Sequence, residues 1–457
     1  MSDLGTLSSL GLGSSGALSY DTIDKLRQAD EDAIIKPIDK KIETTQNRQK
    51  ALDDLTTLLA TFKSSTSALS YDSLYSKVNV ETTGSSAIIT AEDGVSSQSI
   101  NLDVTNIATN DVQESKSFAS TDSTFTDSAD TLKFELASGE SFSIDVDENT
   151  TISQLAEDIN NNSNGTMTAS ILNVGGDTPY KLIIKSTDTG ADNAITISST
   201  GGGTAADDLD MTTVGDGAQD AHFTYNGVSI TRSSNDITDL VTGVTIKLVD
   251  SGTTSAEITQ DTQSIKDEIN SFISSYNDLI DNLHSSTKYD PKTNEVGIFQ
   301  GVSQIRGIKS EINDDIFNFS EGGQTVADFG ITLNSAGHLE LDESMLDSKL
   351  QNDPNGVKDF FMGGTDTNPE DGMFVKLNND LGSIFMDNDS ELKLYKSYLD
   401  TSLQNLNDQK DAQTKKLDTK YEIMARRFAS YDSIISNYNA SYQSLQMQID
   451  SFVNTKK

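Results

Sequence analysis

An apolar stripe near the C-terminus constrains this chain more than any other feature. Leu417, Tyr421, Met424, Phe428, Tyr431, Ile435, Tyr438, Tyr442, Leu445, Ile449 and Phe452 follow one another in steps of four and three without a miss, with polar residues nearly everywhere between. A period of 3.5 residues held this long, uninterrupted by Gly or Pro, specifies a helix that gives its seam to other helices. An amphipathic helix lying on its own globular core is the plainer alternative, and the length favours the coiled coil. Tyrosine at four seam positions points to a loose or large assembly, in which the phenol tips reach water or a partner group.

The other end carries a shorter version. From about residue 32 to 69 the pattern is helical, with Leu52, Leu55, Leu59 and Phe62 on one stripe and Pro37 near the helix start, where proline is tolerated best. The remaining prolines, Pro179, Pro291, Pro354 and Pro369, fall outside the segments read as helices. Burying a seam side chain contributes roughly 1.5–3 kcal/mol, while ordering costs about 1–2 kcal/mol per residue. Both ends are therefore expected to gain order on assembly.

Between the ends the texture changes. Residues 78–259 read as short strands and hold six basic and 28 acidic residues. "AIITA" at 87–91 is β-branched, and Ile100, Leu102 and Val104 alternate with polar residues. "LKFELASGESFSIDV" predicts a hairpin turning at Ser138-Gly139. A short helix, "TISQLAEDINN", follows with Thr150 or Thr151 as N-cap. "MTASILNV" and "YKLIIKST" predict two strands split by Gly175-Gly176-Asp177. "HFTYNGVSITR" predicts a hairpin on Asn226-Gly227, and "GVTIKLVD" closes the block. Gly201 to Gly203 and the neighbouring Asp residues read as a loop or mobile edge.

From residue 264 helices return. "SIKDEINSFISSYNDLIDNL" is amphipathic, "VSQIRGIKSEI" predicts a second helix, and residues 345–350 a short third. The expected fold is α+β and multidomain, with coiled-coil helical termini and a helix-rich domain flanking a strand-rich insert. The expected divisions are a flexible or coiled-coil terminal segment at 1–40 with 415–457, a helix-rich domain at 41–75 and 260–414, an inner β domain at 76–116 and 221–259, and an outer α+β domain at 117–220.

Charge narrows the partners. The chain has 33 Lys plus Arg against 71 Asp plus Glu, a net charge of −38. Such a surface repels nucleic acid and anionic lipid, so neither is an expected partner. No stretch approaches the roughly 18 apolar residues of a membrane span. The first twenty residues hold no Lys or Arg, so no cleavable leader is expected. Cysteine is absent, which removes disulfides and thiol chemistry and suits a chain exported unfolded.

Motifs that could carry chemistry fail on inspection. His222, His284 and His338 stand apart in sequence with no ligand spacing. "GLGSSG", with Gly11, Gly13 and Gly16, has no strand before it and reads as a tail, not a dinucleotide loop. Asp145, Asp147 and Asn149 begin like a calcium loop, but Thr150 and Ala156 stand where Gly and Glu belong. "MDNDSE" at 386–391 reads as a helix cap. No pair of carboxylates stands out for acid–base work, so no enzyme, cofactor or metal is expected.

Several stretches, taken in order, resemble the flagellar filament cap family, also called hook-associated protein 2. "YDTIDKLRQADEDAIIKPIDKKI" at 20–42 is similar to that family's opening helix. Residues 223–250 resemble its strand pattern through Asn226, Gly227, Val228, Asn235, Ile237, Asp239, Gly243, Val244 and Thr245. Residues 329–361 resemble its leg segment through Gly330, Gly337, Leu341, Asp342 and Leu350, and "FISSYNDLIDNL" the helix entering it. "TISQLAEDIN", ending in Ile159-Asn160, resembles a repeat shared by flagellins and hook-associated proteins.

The resemblance implies a secreted structural cap at the filament tip, where several copies form a ring that guides exported flagellin into place. It implies flagellin, other copies of the chain, the hook–filament junction protein and an export chaperone for the C-terminal helix as partners. It assigns the seam residues named above to assembly. Rival readings are another flagellar axial or junction protein, or a β-rich secreted adhesin.

Overall fold

The computed structural model describes residues 20–364 and 370–454. The chain divides into a helical unit (Met1–Tyr71 with Lys266–Lys457) and a strand unit (Asp72–Ile265).

In the strand unit, two cores form from interleaved stretches. The first joins β1 (Val78–Gly84), β2 (Ala87–Ala91) and β3 (Gln98–Asn106) to strands much later in the chain. The second contains β4 (Val112–Glu114), β5 (Asp130–Leu136), β6 (Ser141–Val146), the helix Ile152–Asn162, β7 (Met167–Asn173), β8 (Tyr180–Ser186), β9 (Ile195–Ser199) and β10 (Thr212–Thr213). The chain then returns to the first core through β11 (Ala221–Tyr225), β12 (Val228–Arg232), β13 (Asp236–Val241), β14 (Val244–Leu248) and β15 (Gly252–Gln260).

The first core packs a five-stranded sheet, β1-β15-β3-β11-β12, with a three-stranded sheet, β13-β14-β2, all antiparallel. The period-two reading of β3 holds: Ile100, Leu102 and Val104 are buried while their neighbours face water. The β11–β12 hairpin turns on Asn226 and Gly227, both at positive φ (49° and 82°), the backbone of a type I′ turn. Asn226 also fastens the turn to β3. Its Oδ1 accepts from Asn101 N (2.8 Å) and its Nδ2 donates to Ser99 O.

The expectation that "GVTIKLVD" ends this block is corrected by β15, which lies between β1 and β3. It escapes a hydrophobicity reading because its buried face is Thr254, Ala256 and Ile258, with one large apolar side chain. Thr254 fits there because its hydroxyl is fully used: Oγ1 accepts from Ser86 N and Ala87 N and meets Ser86 Oγ at 2.7 Å.

The second core lies between a three-stranded sheet, β6-β5-β9, a four-stranded sheet, β10-β4-β8-β7, and the helix Ile152–Asn162. Leu132, Phe134 and Leu136 point inward at every second residue of β5, as the hairpin reading requires. Thr151 is the N-cap and closes a capping box with Gln154. In the helix's last turn stand Ile159, which is buried, and Asn160, whose amide exchanges two 2.8 Å hydrogen bonds with the backbone of Ala169. That pair gives the Ile-Asn signature a physical meaning, because Asn160 joins the helix end to β7 as another strand would. Because β4 pairs with β8, the chain enters this second sheet by residue 112, not after 116.

The glycine run Gly201–Gly203 is a loop, and it is anchored. Backbone N–H groups of Thr131, Gly201, Gly203 and Ala205 all donate to the carboxylate of Asp130. A Cβ on Gly201 or Gly203 would come within 2.9 Å of Asp130 atoms, so only glycine lets the loop close on the carboxylate. The Ser199 hydroxyl and these amides hold Asp130 down at a pKa of about 2.

In the helical unit, one 49-residue helix, Tyr20–Ala68, runs through Pro37. Pro37, expected near a helix start, lies well inside this helix. Pro37 is exposed, so the carbonyl deprived of its N–H partner can be hydrated. Pro354, expected outside the helices, lies within one. It opens Pro354–Phe361 at the first turn, where its missing N–H costs nothing, and Asp353 caps that helix through Gly356 N. That helix and Met373–Phe385 are additions to the sequence reading.

A run of ring contacts crosses this unit's core: Phe62 with Phe272 (5.3 Å), Phe272 with Phe374 (4.9 Å), Phe374 with Phe361 and Phe361 with Phe329 (5.0 Å each). Gly330, at φ 84°, explains part of the leg-like motif. A Cβ there would sit 2.5 Å from Asp342 O, and Asp342 caps the helix Glu343–Asn352 through Ser344 N and Met345 N.

Candidate assembly surface

The last helix, Glu391–Asn454, starts on the last residue of the acidic run at 386–391, with the Ser390 hydroxyl accepting from Lys393 N. It lies antiparallel along the first helix. Lys396 meets Asp53 (2.7 Å), Gln49 donates to Asp400 (2.6 Å), Lys410 meets Asp39 (2.8 Å) and Lys420 meets Asp30 (2.6 Å). As numbers fall by 23 along the first helix, from 53 to 30, they rise by 24 along the last, from 396 to 420. The register therefore holds through about seven turns.

Near residue 420 the polar ladder encloses a small apolar cluster of Ile23, Leu417, Tyr421 and Ala425, with Ile35, Met424 and Phe428 packed against it. Tyr421 is 2% exposed, and its hydroxyl donates to Asp30 Oδ2 at 2.8 Å. Burial, with the Asp30 carboxylate second, pushes the phenol up to about 12. The hydrogen bonds from Lys420 and Tyr421 hold Asp30 below the usual carboxylate range. Arg27 bridges Glu31 and Asp418 and is pushed up, mainly by its bond to Glu31.

The structure sorts the predicted seam into three groups. Leu417, Tyr421, Met424 and Phe428 pack against the chain's own first helix. Leu52, Leu55, Leu59 and Phe62 are at most 1% exposed, and Phe62 stacks on Phe272 in the aromatic core, so they are corrected from an assembly seam to the interior of the helical unit. A sequence stripe cannot distinguish these outcomes, because a helix facing its own core and one facing a partner share the same period.

The third group remains outside. Tyr431, Tyr438, Tyr442, Leu445 and Ile449 are exposed, Tyr438 at 75%, and Ile435 is half-buried. The Phe452 side chain lies outside the described residues. Ile434 and Met447 are exposed as well, and the strict stripe missed them. Ile434 is three residues from Tyr431 and four from Tyr438, so it widens the same face. Isolated exposed apolar residues are ordinary, whereas these lie in a row along one helix.

Among the described residues no group of His, Asp and Glu could hold a metal ion, and no helix is long and apolar enough to cross a membrane. Asp147 is occupied by Asn149 N and Thr150 Oγ1, and Asp145 accepts from Thr131, which accounts for the failed calcium motif. His338 bonds Asp281, and His222 bonds Thr231. The "GLGSSG" motif lies outside the described residues.

Two long helices pairing near the chain's ends, an exposed apolar row beyond the pairing, and an inserted pair of β cores define a helix-ended α+β protein. Models of the flagellar hook-associated protein 2 N-terminus and C-terminus match residues 15–111 and 218–440. The chain belongs to the flagellar hook-associated protein 2 family. Flagellar hook-associated protein 2 of Campylobacter jejuni is 34% identical over 78% of this chain, and the match spans 64% of that relative. The Helicobacter pylori protein of the same name is 25% identical over 98% of this chain and 99% of its own. The crystal structure of the D1-D2-D3 domains of the Escherichia coli flagellar cap protein FliD superposes with a TM-score of 0.53. That structure is 28% identical and covers 76% of this chain and 99% of its own.

Proposed function

We propose that this protein is the structural cap of the bacterial flagellar filament, working outside the cell at the distal tip. Several copies form a ring, and the ring holds each exported flagellin subunit while it folds into the filament end. The observation that carries this reading is the exposed row Tyr431, Tyr438, Tyr442, Leu445 and Ile449 on a helix already paired with its own chain up to residue 428. Water-facing phenols and aliphatics in a line gain free energy only when another helix covers them. Flagellin's terminal helices are the partner that this row fits. The hook–filament junction protein is met by the same row when the cap first docks, and the export chaperone covers it before secretion. Family membership sets aside the flagellin and junction-protein readings for the chain itself.

The test is complementation of a strain lacking the gene. Wild type should restore filaments and stop flagellin from spilling into the medium. Tyr438→Asp with Tyr442→Asp should be secreted and folded, because both side chains are exposed, yet leave flagellin in the medium. Normal filaments from that double variant would remove the row from the capping mechanism.

A further inference from the structure

The strand unit confronts any ring with an electrostatic problem. Its residues 78–259 carry six basic against 28 acidic side chains, so two copies set side by side meet acid against acid. One face departs from that rule. Lys181 and Lys185, two of the six bases, stand on the single strand β8. Register places them on the same side as Thr168, Ser170 and Leu172 of β7 and Val112 and Glu114 of β4. The other side of β7 and β8, bearing Met167, Ala169, Leu182 and Ile184, is buried in the second core.

This outer face is also partly apolar. Leu172 is 52% exposed, and Val174 at the hairpin tip and Val214 beside β4 are exposed too. Lys185 is exposed; Glu114, the one acid on these three strands, is tied to Lys181 at 2.7 Å, and the exposed Asp177 stands at the hairpin tip. On a body of net charge −22 this strip is near neutral, exposes Lys185 beside apolar side chains, and is therefore where a second acidic copy meets least repulsion.

We infer that the outer face of β7, β8 and β4 is the surface on which one copy receives the acidic strand unit of a second copy. The contact is heterologous, base and leucine on one side meeting acid on the other, and such a contact closes into a ring when the rotation between copies closes. This rests on the ring reading above and adds the face that closes it.

The experiment is sedimentation velocity of the full chain across a salt series, with circular dichroism as the folding control. Wild type should assemble, and the difference between it and a charge-reversed variant should shrink as salt rises. Leu172→Glu with Lys185→Glu should assemble at least about tenfold more weakly with an unchanged spectrum and melting midpoint, while Lys185→Arg should assemble like wild type. Assembly of the double variant at wild-type strength overturns the face and leaves the ring reading standing. A double variant that assembles normally but no longer binds heparin assigns the face to a polyanion and also overturns it. A wild-type chain that stays monomeric at every concentration overturns the ring itself.

Discussion

The strand unit and the paired terminal helices solve opposite problems. In the strand unit the large apolar side chains lie mainly inside two cores, and the charge is one-sided and outside. Along the helix pair, charges of both signs alternate as a ladder, and the apolar row beyond residue 428 is left outside. The difference teaches where each part finds its stability. The strand unit completes its cores by itself, with Phe134 fully buried and stacked on Phe142 at 5.1 Å. The far end of the last helix leaves its apolar side chains in water.

The comparison can be broken most decisively at Phe134. Phe134→Ala should cost the strand unit about 3–5 kcal/mol by opening a cavity in a closed core. Denaturant unfolding should show this as a strand-unit transition shifted to lower denaturant. An unmoved transition would mean that the core is not the self-sufficient body described.

Asp130 comes next, because its loss undoes the whole glycine loop. Its carboxyl is held below the usual carboxylate range, so the stability it contributes is complete above about pH 4 and disappears as pH falls toward 2. Asp130→Asn should lower the melting midpoint at neutral pH and flatten that acid slope.

On the helix pair, Leu417→Ala should cost about 2 kcal/mol, the low end for a buried leucine, because this cluster is small. Hydrogen exchange should rise at residues 20–35 and 410–428 and stay unchanged in the strand unit. Uniform protection loss would contradict the division into separately stabilised parts.

Asp315 sharpens the comparison through its opposite pH sign. Burial, and the Asp380 charge after it, push its pKa up to about 6. A raised carboxyl binds its proton more tightly when folded, so the helical unit should lose stability as pH rises from about 4 to 6. Asp315→Asn should stabilise it at pH 8 by about 1 kcal/mol, after allowance for solvent screening at a partly exposed site.

The smallest effect belongs to Tyr438→Ala. It should change the free chain's stability by less than about 0.5 kcal/mol, since a side chain 75% exposed gives up little packing. A loss of 2 kcal/mol would show that the row is already covered in the free chain.

Local rules made much of this legible. The Asn226-Gly227 turn, the Thr151 cap and the alternation in β3 and β5 each depend on neighbours within a few residues, and each follows from residue chemistry alone. The 3.5-residue stripe likewise specified a long C-terminal helix. Tertiary structure decided what local rules leave open. It placed β15 between β1 and β3 although only Ile258 among its inward residues is large, because Thr254 finds its hydrogen bonds in Ser86 and Ala87. It carried the first helix through Pro37 on a solvent-facing side. It also divided one apolar period into core at Phe62, internal pairing at Tyr421 and open surface at Tyr438. Helical period records which side of a helix avoids water, and which body covers that side depends on contacts hundreds of residues apart or on another chain.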